Sequence, residues 1–210
     1  MRQRVIAVVS LAVAGCAAAV APDVLKEWQA RQRYTCCNIR YEDPAKIVDA
    51  NYAVGAILPF GSPASVTGMT NKSVTFRSGA TDFTVTQSYG TAQETSQQYF
   101  AKILVDTDPH VRFEKFSPSV QAAIRDGRVE RGMTREQVIM SLGYPPTHRT
   151  ASTDASTWVY WYNRWVTFNV EFGGDGMVAT VVGTAPTNNQ PVQQVVVKTP
   201  APAKAKPRKH

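Results

Sequence analysis

The adjacent thiols of Cys36 and Cys37 are the residues of this chain best placed for covalent chemistry. Adjacency leaves two outcomes: a vicinal disulfide, or thiols of which one is buried and inert. Neither Cys-x-x-Cys spacing nor a Cys-x-x-Cys-His haem motif is present, so a structural role is favoured over a redox one. His110 and His148 fall in polar, loop-forming stretches, and His210 is the last residue of the sequence. No His-Glu-x-x-His, Gly-x-Ser-x-Gly or glycine-rich phosphate loop occurs. Asp106-Thr-Asp108 is a lone acidic pair, expected as a solvated turn rather than a metal site. Gly173-Gly-Asp-Gly176 lacks the strand-to-helix context of a nucleotide site and reads as a hairpin, with Asp-Gly the favoured turn. These residues predict a protein without catalysis, cofactor or metal; binding is the better class.

The elements around them divide the chain. Residues 34–110 predict a small β-rich unit, a meander or SH3-like, with strands at 52–58, 65–67, 73–76 and 82–88. Leu58-Pro-Phe-Gly-Ser62 is a turn. The unit ends in a helix capped at Thr91, with Glu94 closing a capping box and Tyr99, Phe100, Ile103 and Leu104 on its apolar face. Residues 106–116 are a connection. Residues 111–182 predict a second unit. Ser117-Pro118 caps a helix with Val120, Ala123 and Ile124 on one face, stopped by Gly127. The next helix is written at both ends. Thr134 and Gln137 form a capping box, Met133 and Val138 a hydrophobic staple, and Val138 and Leu142 face the core. Gly143 is suited to a left-handed cap, and Pro145-Pro146 forbids continuation. Residues 147–156 are polar and expected to be mobile. Strands follow at 158–162 and 166–172 and from 177 to 182, in antiparallel order. The fold class is α+β: two short helices, then a three-stranded antiparallel sheet, in two layers.

The amino terminus carries an address. Charged MRQR precedes an apolar run over residues 5–14, too short to span a bilayer, which needs about 20 apolar residues. Val13-Ala-Gly-Cys16 then resembles the lipobox of bacterial lipoproteins. The resemblance implies cleavage after residue 15, acylation of Cys16, and, because Ala17 is not Asp, sorting to the outer membrane of a Gram-negative cell with the protein on the periplasmic face. Ordinary cleavage after Ala19 or Ala21 is the alternative. Residues 16–33 are then a lipidated tether leading into a short helix. In that oxidising compartment free thiols at Cys36 and Cys37 are unexpected.

The net charge of +7 does not indicate a nucleic-acid partner. Lys198, Lys204, Lys206, Arg208 and Lys209 lie in the last 28 residues, which contain no acid. Setting these aside with Arg2 and Arg4, the remaining 16 basic residues equal the 16 acidic ones. Residues 183–210 read as a disordered basic tail rich in Pro, Ala and Lys, suited to weak, salt-sensitive contact with anionic lipid or peptidoglycan, or to solubility alone.

The run Gly132-Met-Thr-Arg-Glu-Gln-Val-Ile-Met-Ser-Leu-Gly-Tyr-Pro-Pro146, the strand Trp158-Val-Tyr-Trp-Tyr162 and the strand and turn at 166–178 together resemble the SmpA/OmlA domain of BamE-like outer-membrane lipoproteins. The resemblance covers residues 117–182. It implies an ααβββ fold and a non-catalytic scaffold in outer-membrane protein assembly or envelope integrity, with the β-barrel assembly machinery or other envelope proteins as partners. The same small fold recurs in secreted inhibitor proteins, so an inhibitor-like binder or general envelope lipoprotein is the alternative. If Trp158, Tyr160 and Tyr162 cover the helices, Val159 and Trp161 face the other way. That face is either an interaction surface or is covered by the amino-terminal unit. Tyr144, Trp161 and Trp165 are the candidate partner surface.

Overall fold

The computed structural model describes residues 19–163, 165–183 and 185. The lipobox with Cys16 and the basic tail lie outside the described residues. The first unit is built on α1 (Pro22–Gln29), β1 (Arg33–Thr35), β2 (Ile39–Tyr41), β3 (Ile47–Val48), β4 (Ala56–Leu58), β5 (Pro63–Met69), β6 (Ser73–Ser78), β7 (Thr81–Thr86), α2 (Ser96–Ile103) and β8 (Leu104–Val105). Its main sheet runs β3-β7-β6-β5-β1-β8, with β2 and β4 a separate ribbon. The sheet exceeds a small meander or SH3-like unit for two reasons. β1 pairs with both β5 and β8, and β3 joins β7 in parallel. Alternation along β5, β6 and β7 sends Val66, Val74, Phe76, Phe83 and Val85 into one core, where Phe76 stacks on Phe83 at 5.7 Å.

The second unit contains α3 (His110–Phe113), α4 (Pro118–Arg125), α5 (Arg135–Leu142), β9 (Thr157–Trp161), β10 (Thr167–Phe172) and β11 (Val178–Gly183). The sheet order is β11-β10-β9, antiparallel throughout. α4 and α5 pack on the inner face, over Trp158, Tyr160, Phe168, Val170 and Phe172. Two layers with two helices before three strands are therefore the architecture, and α3 is a short helix inside the expected connection.

α5 forms for the reasons written in its residues. Thr134 Oγ1 accepts from the Gln137 N–H at 3.3 Å, and Gln137 Oε1 accepts from the Thr134 N–H at 2.9 Å. Met133 and Val138 are both fully buried. An isolated helix of eight residues is marginal, so caps and packing hold it. Gly143 ends it at φ 93° and ψ 177°, not in the left-handed helical region but in an extended conformation that glycine alone adopts readily. The chain thus leaves the helix straight toward Pro145. Thr134→Ala is expected to cost about 1 kcal/mol, read from the urea midpoint at unchanged slope; no change would mean that packing alone defines the helix start.

α2 begins four residues later than its first capping signal. Thr95 and Gln98 make the box, while the Gly90 carbonyl accepts from the Gln93 and Glu94 N–H groups in a preceding turn. Glu94 instead forms an ion pair with Lys102. Ser117 occupies the cap position of α4 without accepting from a helix backbone N–H; its hydroxyl instead bonds that of Ser119 at 3.2 Å. Residues 147–156 are pinned rather than loose. Arg135 donates to the carbonyls of Thr153 and Ala155, and the Val159 N–H donates to Thr150 Oγ1 at 3.0 Å.

The two units share one seam. Asn38 Nδ2 donates to the Ile124 carbonyl at 2.6 Å and the Ser141 carbonyl at 3.1 Å, and Asn38 Oδ1 accepts from the Phe60 N–H at 3.0 Å. Tyr52 and Phe60, from the first unit, lie in the core of the second, against Tyr160 at 4.9 Å and Phe113 at 4.6 Å.

Candidate partner-binding face

The outer face of the β9–β10–β11 sheet follows from strand alternation and register. Trp161 lies beside Thr167; Val159, Asn169 and Val182 form one row; Thr157, Glu171 and Thr180 form the next. This face therefore mixes a tryptophan and two valines with threonines, Asn169 and the acidic Glu171. The β9–β10 connection presents Trp165 at its tip. Asn163 Oδ1 accepts from the N–H groups of Trp165 at 2.9 Å and Val166 at 3.0 Å, and the Tyr162 N–H donates to the Val166 carbonyl at 2.8 Å. The Trp165 indole is 83 % exposed, and Val166 beside it is 38 % exposed. Tryptophan is among the residue types most enriched as interface anchors.

Trp161 is placed differently. It is half-buried under its own chain: His148 stacks on it at 6.5 Å, and the Arg149 guanidinium sits 5.5 Å above the ring. His148 stacks in turn on Tyr89 of the first unit at 5.6 Å. Burial, with the nearby Arg149 charge, pushes the His148 imidazole below its ordinary value, so it stays neutral at pH 7 and stacks without a charge. Tyr89 of the amino-terminal unit thus approaches this face with His148 between.

Tyr144 lies in the seam. It packs against the first core, with the Lys102 ammonium 5.3 Å from its ring, and its carbonyl accepts from the Tyr52 hydroxyl at 2.9 Å. Of the three sequence candidates, the structure leaves Trp165 as the exposed member, covers Trp161 in part and commits Tyr144 to internal packing.

β11 is an edge of this sheet. Its start is closed by a bridge between Met177 and Thr134, and by Gly132 and Met133 bonding to Val178. Beyond Val178 no other described strand pairs with its outer side. An edge of this kind can accept an added strand from a partner.

The remaining chemistry-bearing residues are structural. Cys36 and Cys37 are joined by a disulfide and buried. Asp106 pairs with Arg31 and Arg33, and Asp108 with His110 at 2.7 Å. Among the described residues no group of His, Cys, Asp and Glu is arranged to hold a metal ion. A cavity of about 30 Å³ at the seam, lined by Cys37, Asp49, Tyr52 and Tyr99 among others, has room for a water or two and not for a substrate. Asp49 closes it as a buried carboxylate that accepts from the Ser88 and Tyr89 N–H groups; burial raises its pKa, opposed by those bonds.

The second unit is thus a two-layer α+β domain with an exposed aromatic tip and an open sheet edge. Residues 127–181 match the family model described as the outer membrane protein assembly factor BamE domain. The chain thus carries a BamE-like domain that takes in α5 and all but the end of the β9–β11 sheet, and the first unit lies outside the match. No curated protein and no solved structure matches the chain significantly.

Proposed function

We propose that this protein is an outer-membrane lipoprotein, acylated at Cys16, whose BamE-like domain is a non-catalytic scaffold on the periplasmic face, acting in outer-membrane protein assembly or envelope integrity. The family match over residues 127–181 carries this reading. The lipobox supports the anchor, and the exposed Trp165 tip together with the open β11 edge supports a protein partner. The partner this reading favours is a subunit of the β-barrel assembly machinery.

A photo-crosslinking amino acid at position 165, in cells, tests it. Capture of barrel-assembly subunits is expected, and Trp165→Ala should weaken their co-purification at least about tenfold, as for an interface anchor. Because Trp165 is so exposed, the same variant should keep its stability to within about 0.5 kcal/mol. Capture of only a soluble periplasmic enzyme would favour the inhibitor-like alternative. Undiminished co-purification with Trp165→Ala would remove this tip from the interface.

A further inference from the structure

Very little chain separates Cys16 from the folded body. Ala19 forms an antiparallel bridge with Thr70. Val20, Val24 and Leu25 pack on the first core, and α1 lies along β5. Trp28 of α1 is buried beneath the Arg33 guanidinium, 4.1 Å from the ring centroid. From Ala19 onward the segment expected as a tether is therefore part of the body. An extended chain spans at most about 3.6 Å per residue, which puts Ala19 within about 11 Å of Cys16.

Thr70 opens a tight turn between β5 and β6. Its hydroxyl accepts from the N–H groups of Lys72 at 3.2 Å and Ser73 at 2.9 Å, and its own N–H donates to the Ser73 carbonyl at 2.8 Å. Asn71 and Lys72 are exposed at the tip. An anchor at Cys16 must therefore enter the membrane beside this turn.

We propose that the β5–β6 turn and the amino-terminal end of α1 rest on the lipid surface, so that the acyl chains clamp the body to the membrane instead of suspending it. This rests on the acylation of Cys16 proposed above. Asp23 and Glu27 on α1 offset Lys26 and Lys72, so covalent reach sets the contact and charge does not; the seating is insensitive to salt. A body held this way has no slack with which to search the periplasm. Its partner must present a site next to the membrane, which favours a membrane-embedded assembly over a soluble enzyme.

The test uses the full chain, purified from the membrane fraction and reconstituted in phosphatidylethanolamine–phosphatidylglycerol vesicles containing brominated lipid. Mass spectrometry of the amino-terminal peptide first reports acylation of Cys16. Asn71→Cys carries a bimane label, the native Cys36–Cys37 pair being closed as a disulfide. Bromine quenching of the label is expected at low and high salt alike. Insertion of twelve Gly/Ser residues between positions 18 and 19 adds a root-mean-square reach of about 20 Å and should cut quenching at least about twofold. Acylated, vesicle-bound protein with an unquenched label would overturn the seating and leave the anchor standing. Equal quenching with and without the insertion would also overturn it. Absence of acyl groups on Cys16 would overturn the anchor, and the seating with it.

Discussion

Asn38→Ala is expected to destabilise the whole protein by about 3–5 kcal/mol, a large part of the 5–15 kcal/mol that holds a typical domain folded. Asn38 is 4 % exposed, and its carboxamide serves three backbone groups from three elements: Ile124 in α4, Ser141 in α5 and Phe60 in the turn before β5. Alanine removes both donors and the acceptor at a site water does not reach, and each buried polar group left without a partner costs about 1–3 kcal/mol. The Ile124 carbonyl keeps the Gly127 N–H, which holds the sum to the lower part of that range. Asn38→Asp, similar in shape, loses the donors and buries a charge, so it should be at least as damaging. Urea unfolding followed by tryptophan fluorescence measures both. A single transition is expected for the wild-type protein, with a lower midpoint for the variants; two separate wild-type transitions, or a loss below about 1 kcal/mol, would show that the seam does not couple the units.

Tyr52→Ala should cost about 3–5 kcal/mol and lower the melting temperature by about 10 °C or more. The ring is buried edge-on against Tyr160, and its hydroxyl lies 2.9 Å from the carbonyls of both Asp49 and Tyr144. A phenol has one proton, so it donates to one of these carbonyls at a time. Burial pushes its pKa well above the ordinary value, which keeps the hydroxyl protonated as a donor at neutral pH. Tyr52→Phe keeps the ring and loses only the hydroxyl, for about 1 kcal/mol. The gap between the two variants in a thermal melt measures how far the second core depends on a side chain from the first unit. If alanine and phenylalanine cost the same, ring burial contributes nothing and the shared-core account fails.

The contrast between α5 and the seam shows how much could be read in advance. The box, staple and stop of α5 are contacts within about four residues of one another, so residue types and spacing display them directly. The alternation in β9 and β10 is equally local and marks Trp158, Tyr160, Phe168 and Val170 as the inner face. Ambiguity entered where two local signals compete. Thr91-x-x-Glu94 and Thr95-x-x-Gln98 have the same form, and the turn at Gly90 together with the Lys102 ion pair assigns the start of α2 to the second. Asn38 had no such signal; an asparagine after two cysteines looks like a turn residue, and its partners lie 86, 103 and 22 positions away. The parallel β3–β7 pair escaped for the same reason, since only two residues of β3 take part. Among the candidate surface residues, local pattern could not rank Trp161, Trp165 and Tyr144, because each is simply an aromatic near a turn or strand end. Exposure separates them: His148 folds over Trp161, the first core takes Tyr144, and the Asn163 turn holds Trp165 out in solvent.

By itself, then, the sequence determined the elements of the carboxy-terminal domain, its α+β class and its resemblance to the BamE family, because caps, staples, turns and strand alternation act over a few residues. Only in the tertiary structure is it settled that Tyr52 and Phe60 complete that domain's core, that the chain from Ala19 onward packs against the body, and that Trp165 is the exposed one of Tyr144, Trp161 and Trp165. Those outcomes depend on which distant surfaces exclude water together, a property that arises only when the whole chain is assembled.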